Sequence, residues 1–366
     1  MDSDAESVGP GVVGHSLRIY FTPMPSLAIS MLVILIQLGV AGGIQSPSGP
    51  LRAAVPEDMG PHPSKSSTYN ELWTFVFQFD DESQLFLNFT RANLGPKDPV
   101  CGSDALLTGF RGKSYSVARE YPLKNFQYDA LNQGISVHEL IHFGQSHADT
   151  QVVFFETEKK GVHWWMELKV ITAEKGAVWG DGIFNLDDNQ VGLFMHIPKA
   201  KAQGRIAING DTVAVSGTAY MDHTYQTAFV PRLARKGLRI VQHRGGYEVG
   251  QYFEASDDYN REIFGYGIRE EGGSRRLLRP QSLNILATSK DMGVRVPTRL
   301  TLTFTDASPL QFERTKDRAQ ASTLREFGLA TRLFLRQFLG GEVLTFSGIG
   351  KVGGQGGAAY RVFVVD

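Results

Sequence analysis

The stretch VHELIHFGQSH (137–147) can be read in two ways that lead to different folds. On a helix, His138 and His142 lie one turn apart with Glu139 between them, the arrangement that zinc metalloproteases use. On a strand, the same letters are half of a β-hairpin. The flanks favour the strand. Gly134 and Gly144 leave at most nine residues for a helix, and so short a segment is marginal in isolation. Val137 and Ile141 are β-branched and Phe143 is aromatic. ISVHELIHF, a turn at GQSHAD and then TQVVFFETE therefore reads as a hairpin. On a continuous strand His138 and His142 would share a face about 13 Å apart, too far to ligate one metal at about 2 Å per bond. His147 and Gly144 each come one residue too early for an extended three-histidine motif. These residues are expected to be a decoy, with no metal bound by His138, Glu139 and His142.

Outward from this stretch the signals are again those of strands. WTFVFQF (73–79) and QLFLNFT (84–90) flank the polar turn 80–83, which predicts a hairpin. HWWMELKV (163–170) places Trp164, Met166, Leu168 and Val170 on one face. In GRIAINGDTVAVSG (204–217), Asn209-Gly210 sits between two β-rich runs, a strong hairpin signal. LRIVQH and YEVGQYFEA flank a further turn at 243–246. TRLTLTFTD (298–306) alternates, and AAYRVFVVD closes the chain as a strand. The best helical spacing is in 317–341, where Leu324, Phe327, Leu335, Phe338 and Leu339 recur before Gly340-Gly341. It predicts one amphipathic helix near 317–339 packed against a sheet. REEGGSRRLLRP (269–280) reads as an exposed loop. Arg232, Arg235, Lys236 and Arg239 read as a solvated basic face.

Composition narrows the function classes. With 366 residues, 42% hydrophobic and 20% charged, the chain is globular. A net charge of −1 gives no basic face for nucleic acid. The single cysteine, Cys101, excludes an internal disulfide framework and a cysteine-based zinc cluster.

The chain divides into five segments. An N-terminal extension (1–26) precedes an apolar run, LAISMLVILIQLGVAGG (27–43), short for a membrane span and suited to an export signal or anchor. Translation starting at Met24 would shorten the extension. An exported or membrane-anchored protein is the expectation. Residues 44–68, rich in Pro and Ser, predict an extended, mobile linker. Two all-β units then follow, 69–226 and 227–366.

The second motif is GDTVAVSGTAYMDHTYQTAF (210–229), with Tyr220-Met221-Asp222-His223 at a strand end. It resembles the Tyr-x-Asp-His-x-Trp signature of the carotenoid hydratase (hydroxyneurosporene synthase) and AttH-like family, to which fungal survival-factor proteins and Diels–Alderase-type proteins look related. Tyr225 stands where that family has Trp, and Ala219 and Thr224 replace its common Gly and Asn. REYPLKNFQYD (119–129) and WGDGIFNL (179–186) are similar phrases. The resemblance covers most of 70–366. It implies an all-β fold of two tandem lipocalin-like (calycin) β-barrel domains, with the signature near their junction and a pocket for an isoprenoid, lipid or polyketide. No cofactor is implied.

The residues support such chemistry. In strand register Met221, His223 and Tyr225 share one face, Tyr220 and Asp222 the other. A histidine in an apolar cavity can give a proton, with a carboxylate beside it tuning its pKa. Aromatic faces would steady a cation, and a shaped cavity would hold reacting ends together. Tyr220, Asp222, His223 and Tyr225 are thus the candidate catalytic residues, and Met221, Trp164 and Trp179 the candidate pocket walls. The structural alternatives are a hydrogen-bonded Asp222–His223 pair and tryptophans that only fill core. A non-catalytic lipid carrier would use the same pocket.

Overall fold

The computed structural model describes residues 43–93, 98–172, 174–324 and 329–366. Of the apolar run only Gly43 is among them, so the export segment and the extension before it lie outside the described residues. Among the described residues no helix is long and apolar enough to cross a membrane.

The strands in chain order are β1 (Ile44–Gln45), β2 (Leu51–Ala53), β3 (Asn70–Phe79), β4 (Gln84–Ala92), β5 (Val100–Phe110), β6 (Lys113–Pro122), β7 (Gln127–Asp129) and β8 (Gly134–His138). Next come β9 (Ile141–His147), β10 (Thr150–Lys159), β11 (Val162–Ile171), β12 (Ala177–Trp179), β13 (Ile183–Leu186), β14 (Asn189–Ile208) and β15 (Asp211–Gln226). The second half holds β16 (Ala234–Gln242), β17 (Tyr247–Ala255), β18 (Ile263–Glu271), β19 (Ser274–Leu278), β20 (Pro280–Asp291), β21 (Val294–Phe304), β22 (Leu310–Ser322), β23 (Val343–Val352) and β24 (Gln355–Val365). Among the described residues three α-helices interrupt them, α1 (Pro56–Met59), α2 (Val230–Leu233) and α3 (Leu329–Leu339).

The fold is all-β, two curled lipocalin-like antiparallel sheets in tandem. The first runs β6-β5-β4-β3-β15-β14-β11-β10-β9-β8-β7, with β1, β2, β12 and β13 joined alongside β14. The second runs β19-β18-β17-β16-β24-β23-β22-β21-β20. The change of sheet falls between Gln226 and Ala234, across α2. The Asn209-Gly210 turn forms as its chemistry requires, both residues having positive φ (52° and 81°) between β14 and β15.

The apolar runs with weak alternation have a structural reason. On β3, Trp73, Phe75, Phe77 and Phe79 fill the first barrel. Val76 points the other way and packs with Phe86, Met195 and Tyr220 against Val241, Val249 and Ala359 of the second sheet. Strands buried on both faces have no polar face to alternate with.

Four expectations are corrected. Residues 44–68 are not a mobile linker but a strap over one end of the first barrel. Its β1 pairs with β13 and its β2 with β12. Arg52 grips the Asp58 carboxylate with two 2.7 Å bonds, and Trp73 Nε1–H donates to the Met59 carbonyl at 3.0 Å. Composition alone could not show this, because the strands that the strap pairs with, β12 and β13, lie more than 100 residues along the chain. The predicted helix is shortened to Leu329–Leu339, since Asp317–Ser322 belong to β22 and pair with Leu344–Gly348. Sheet pairing there overrides helical spacing. Nor does α3 bury a full apolar face, for Leu333, Phe334 and Phe338 are exposed. Residues 269–280 are not a loop, as they contain the β18–β19 hairpin with Arg269 buried on Glu248 at 2.8 Å. The basic stretch is a solvated face only in part: Arg232 is exposed and Arg235 pairs with Asp257 in solvent, whereas Lys236 pairs with Glu254 and Arg239 turns inward onto buried Asp222.

The two sheets are also pinned at their far side. His243 Nε2 donates to the Pro198 carbonyl at 2.9 Å, so its Nδ1 accepts from the Thr218 hydroxyl at 2.8 Å. Burial pushes this imidazole down to about 4. A histidine depressed in the folded state contributes stability that is present above its unfolded pKa, about 6.5, and lost as pH falls through the folded value. Unfolding free energy should therefore drop between pH 6.5 and 4, with an upper bound of about 3 kcal/mol from this residue. Urea unfolding of wild type and His243→Gln across that range measures it. Equal slopes would show that His243 takes no part.

Candidate functional site: two buried clusters on opposite faces of one strand

The HExxH stretch is a hairpin, though tighter than the sequence reading. Glu139 and Leu140 are the turn itself, and His138 pairs with Ile141 across it. His138 Nδ1 accepts from the Leu140 amide at 3.2 Å, and His142 Nδ1–H lies 3.0 Å from the Glu139 carbonyl. The zincin helix is absent here, so the metalloprotease reading is overturned. The expected turn at 144–149 shrinks to Ala148-Asp149, because β9 continues to His147. His142→Ala should change stability by about 1 kcal/mol or less, since this half-buried residue on β9 has only the Glu139 carbonyl and a stack on Phe154 to lose. A larger loss in denaturant unfolding would give the histidine a role that its contacts do not show.

The signature residues lie on β15 where both sheets meet, and they divide between its faces as the register predicts. His223 is fully buried against the first barrel. Its Nδ1 is 2.9 Å from the Asp58 carbonyl, which can only accept, so Nδ1 carries a proton. Its Nε2 is 2.9 Å from Glu71 Oε1. The ring stacks on Trp73 at 4.5 Å. Burial pushes the Glu71 carboxyl up, but hydrogen bonds from His223, His62 and the Tyr69 hydroxyl outweigh it and bring it down to about 2. The His62 amide donates to Glu71 Oε1 at 2.7 Å. The His62 ring packs against both Phe194 and Tyr225, at 5.0 and 4.8 Å. Gly192 opposite Tyr225 makes room for that tyrosine, since a Cβ there would lie 2.2 Å from its ring. His196 stands 6.0 Å from His223, pushed by burial down to about 3. Met221 points into the packed barrel core.

On the other face, Tyr220 and Asp222 meet the second sheet. Asp222 and His223 therefore do not bond each other. Asp222 Oδ1 accepts from Arg239 Nη2 at 2.9 Å, while Asp222 Oδ2, the Tyr220 hydroxyl and Arg239 Nε have no partner. Close by, Asp104 on β5 accepts from Asn88 at 2.8 Å. Arg361 on β24 lies over the Phe86 ring at 4.5 Å. Burial pushes both Asp104 and Asp222 up and draws Arg361 down to about 10. Asp104 lies deep in the molecule, yet its side chain is only half-buried because it faces a cavity.

That cavity is a cleft between the sheets of about 580 Å³, lined by Asp104, Leu106, Tyr115, Trp164 and Arg361. A smaller apolar cavity of about 160 Å³ lies on the other side of Arg361, walled by Leu233, Phe253, Phe264 and Phe363 with Arg239. The expected pocket walls are thus divided. Trp164 lines the cleft, Trp179 packs between the sheets with its Nε1–H on the Gly49 carbonyl at 3.1 Å, and Met221 is core. Sequence reading missed Glu71, His62, His196, Asp104 and Arg361. The one local sign was a carboxylate at the edge of an apolar run, in NELWTF and in GSDALL.

No family model and no curated protein matches the chain. Solved structures do. An AttH-assigned protein (NE1406) of Nitrosomonas europaea is similar at a TM-score of 0.62 and 15% identity, over 87% of this chain and 99% of that one. CghA with Sch210972 gives 0.57 and 12%, over 89% and 98%. Kievitone hydratase of Nectria haematococca gives 0.51 and 11%, over 86% and 93%. At such identities the likeness is one of fold.

Proposed function

We propose that the chain binds an elongated apolar molecule, an isoprenoid, lipid or polyketide, in the cleft between its sheets and catalyses hydration or cyclisation at an alkene. The observation that carries this is Asp104, an acid whose pKa burial raises above the usual aspartate value, facing a cleft walled by Leu106, Tyr115 and Trp164. The similar folds of a hydratase and of CghA support it. We place the acid at Asp104 rather than His223, because both ring nitrogens of His223 are engaged away from the cleft.

In this reading the Asp104 O–H bond breaks as the alkene π pair forms a new C–H bond, leaving a cation on the neighbouring carbon. Tyr115 and Trp164 offer their aromatic faces to it, and Arg361 steadies the carboxylate left behind. Water then adds and returns a proton to Asp104, giving the hydrated product. With a second alkene held against the cation, attack by that π bond closes a ring, and proton loss gives an isomer of the substrate. Holding both ends of the chain in one cleft lowers the entropic part of that barrier.

The test is extraction of co-purifying apolar molecules, identified by mass spectrometry, followed by incubation of the protein with them and with a panel of polyenes in deuterated water. Products heavier by one water, or isomers carrying deuterium on carbon, are expected. A bound molecule returned unchanged would make the protein a carrier. Absence of both binding and conversion would overturn the proposal.

A further inference from the structure

We infer that His62, Glu71 and His223 form a binding site for a borderline divalent metal ion such as zinc. The HExxH letters misplace the metal chemistry of this chain. His62 on the strap and Glu71 on β3 are nine residues apart, and His223 on β15 joins them from 152 residues along the chain.

Three ligand atoms, His62 Nδ1, Glu71 Oε1 and His223 Nε2, all lie within 4.8 Å of one another. The His223–Glu71 separation is 2.9 Å and the His62–Glu71 separation 3.5 Å. Tetrahedral bonds of about 2.0–2.1 Å set ligands about 3.3 Å apart, so the two separations from Glu71 need shifts of only a few tenths of an ångström, and the two imidazoles, within 4.8 Å of each other, close onto the ion by movement of the His62 side chain on the strap. Two imidazoles and one carboxylate suit zinc or ferrous iron.

The surroundings are those a metal site needs. A ligating histidine usually gives its other N–H to a carbonyl or carboxylate. His223 gives its Nδ1–H to the Asp58 carbonyl, so Nε2, which without metal faces Glu71 Oε1 at 2.9 Å, is the nitrogen that ligates once its proton is displaced. Asp58 is itself fixed by Arg52 and the Val55 amide. The Tyr69 hydroxyl holds the second Glu71 oxygen. His62 Nδ1 is a buried atom that faces Glu71 Oε1 at 3.5 Å without the geometry of a hydrogen bond, an arrangement that native proteins seldom leave unexplained. The His62 side chain is 30% exposed and gives the ion a path inward. Three protein ligands leave a coordination position for water. Bound metal would tie the strap to the barrel.

Metal content, not turnover, reads out this inference, so it stands or falls separately from the proposed function. The full chain is stripped with a chelator and titrated with zinc, then with cobalt, whose visible absorption reports tetrahedral ligation. One equivalent bound by wild type and by His142→Ala is expected, with a rise in melting temperature. His62→Ala should lose the equivalent and the rise while keeping the wild-type circular dichroism, since its ring is on the strap. Glu71→Gln is the second variant, and its fold is checked the same way. Substoichiometric metal in folded wild type, or full uptake by folded His62→Ala, would overturn the assignment.

Discussion

Asp104→Asn is expected to lower turnover of an alkene substrate by about 10²- to 10⁴-fold, the contribution of a positioned acid. That is about 3–5 kcal/mol of barrier. The replacement is close to isosteric, and the amide oxygen still accepts from Asn88, so the fold should survive. What disappears is the proton. The wild-type rate should also fall as pH rises through the Asp104 pKa, because the acid works only when protonated, and burial places that fall above the usual aspartate range. The asparagine variant should lose this limb of the profile. Steady-state kinetics on the product identified by mass spectrometry is the check. An asparagine variant within about tenfold of wild type would remove Asp104 from the chemistry.

Asp222→Ala should destabilise the protein by about 3–5 kcal/mol, the cost of breaking a buried ion pair from one side. Arg239 would remain, its side chain only 12% exposed, with Thr74 Oγ1 at 3.4 Å as its other hydrogen-bond partner. Asp222→Asn keeps an acceptor for Arg239 and should cost less. Removing both charges, Asp222→Leu with Arg239→Met, should cost less than the single alanine, because an apolar pair in such a place is often as stable as the ions. Burial pushes Asp222 up against the pull of Arg239, which agrees with a pair costly to break yet not strongly stabilising. Urea unfolding at neutral pH measures all three. A loss under about 1 kcal/mol for Asp222→Ala would mean that Arg239 finds water or another partner, and that the junction is looser than its contacts.

Much of the fold was legible because it is local. Asn209-Gly210 fixes a hairpin by its own backbone preference, and the alternation in HWWMELKV records burial on one face. The glycines around 137–143 exclude a long helix without reference to any other part of the chain. The signature at 220–225 likewise fell at a strand end near the change of sheet. Other features are set by partners distant in sequence. Residues 44–68 look mobile by composition, but Arg52, Asp58 and Met59 find anchors across the barrel end. Asp317–Ser322 fit a helical pattern, yet the ladder with β23 satisfies their backbone better. The sites follow the same rule. Sequence spacing could put Tyr220 and His223 on opposite faces, because side chains alternate along a strand. It could not show that one face meets Glu71 and His62 and the other Arg239. A buried charge is recognised by its counter-charge, and the chain brings that counter-charge from another strand only when the sheets close.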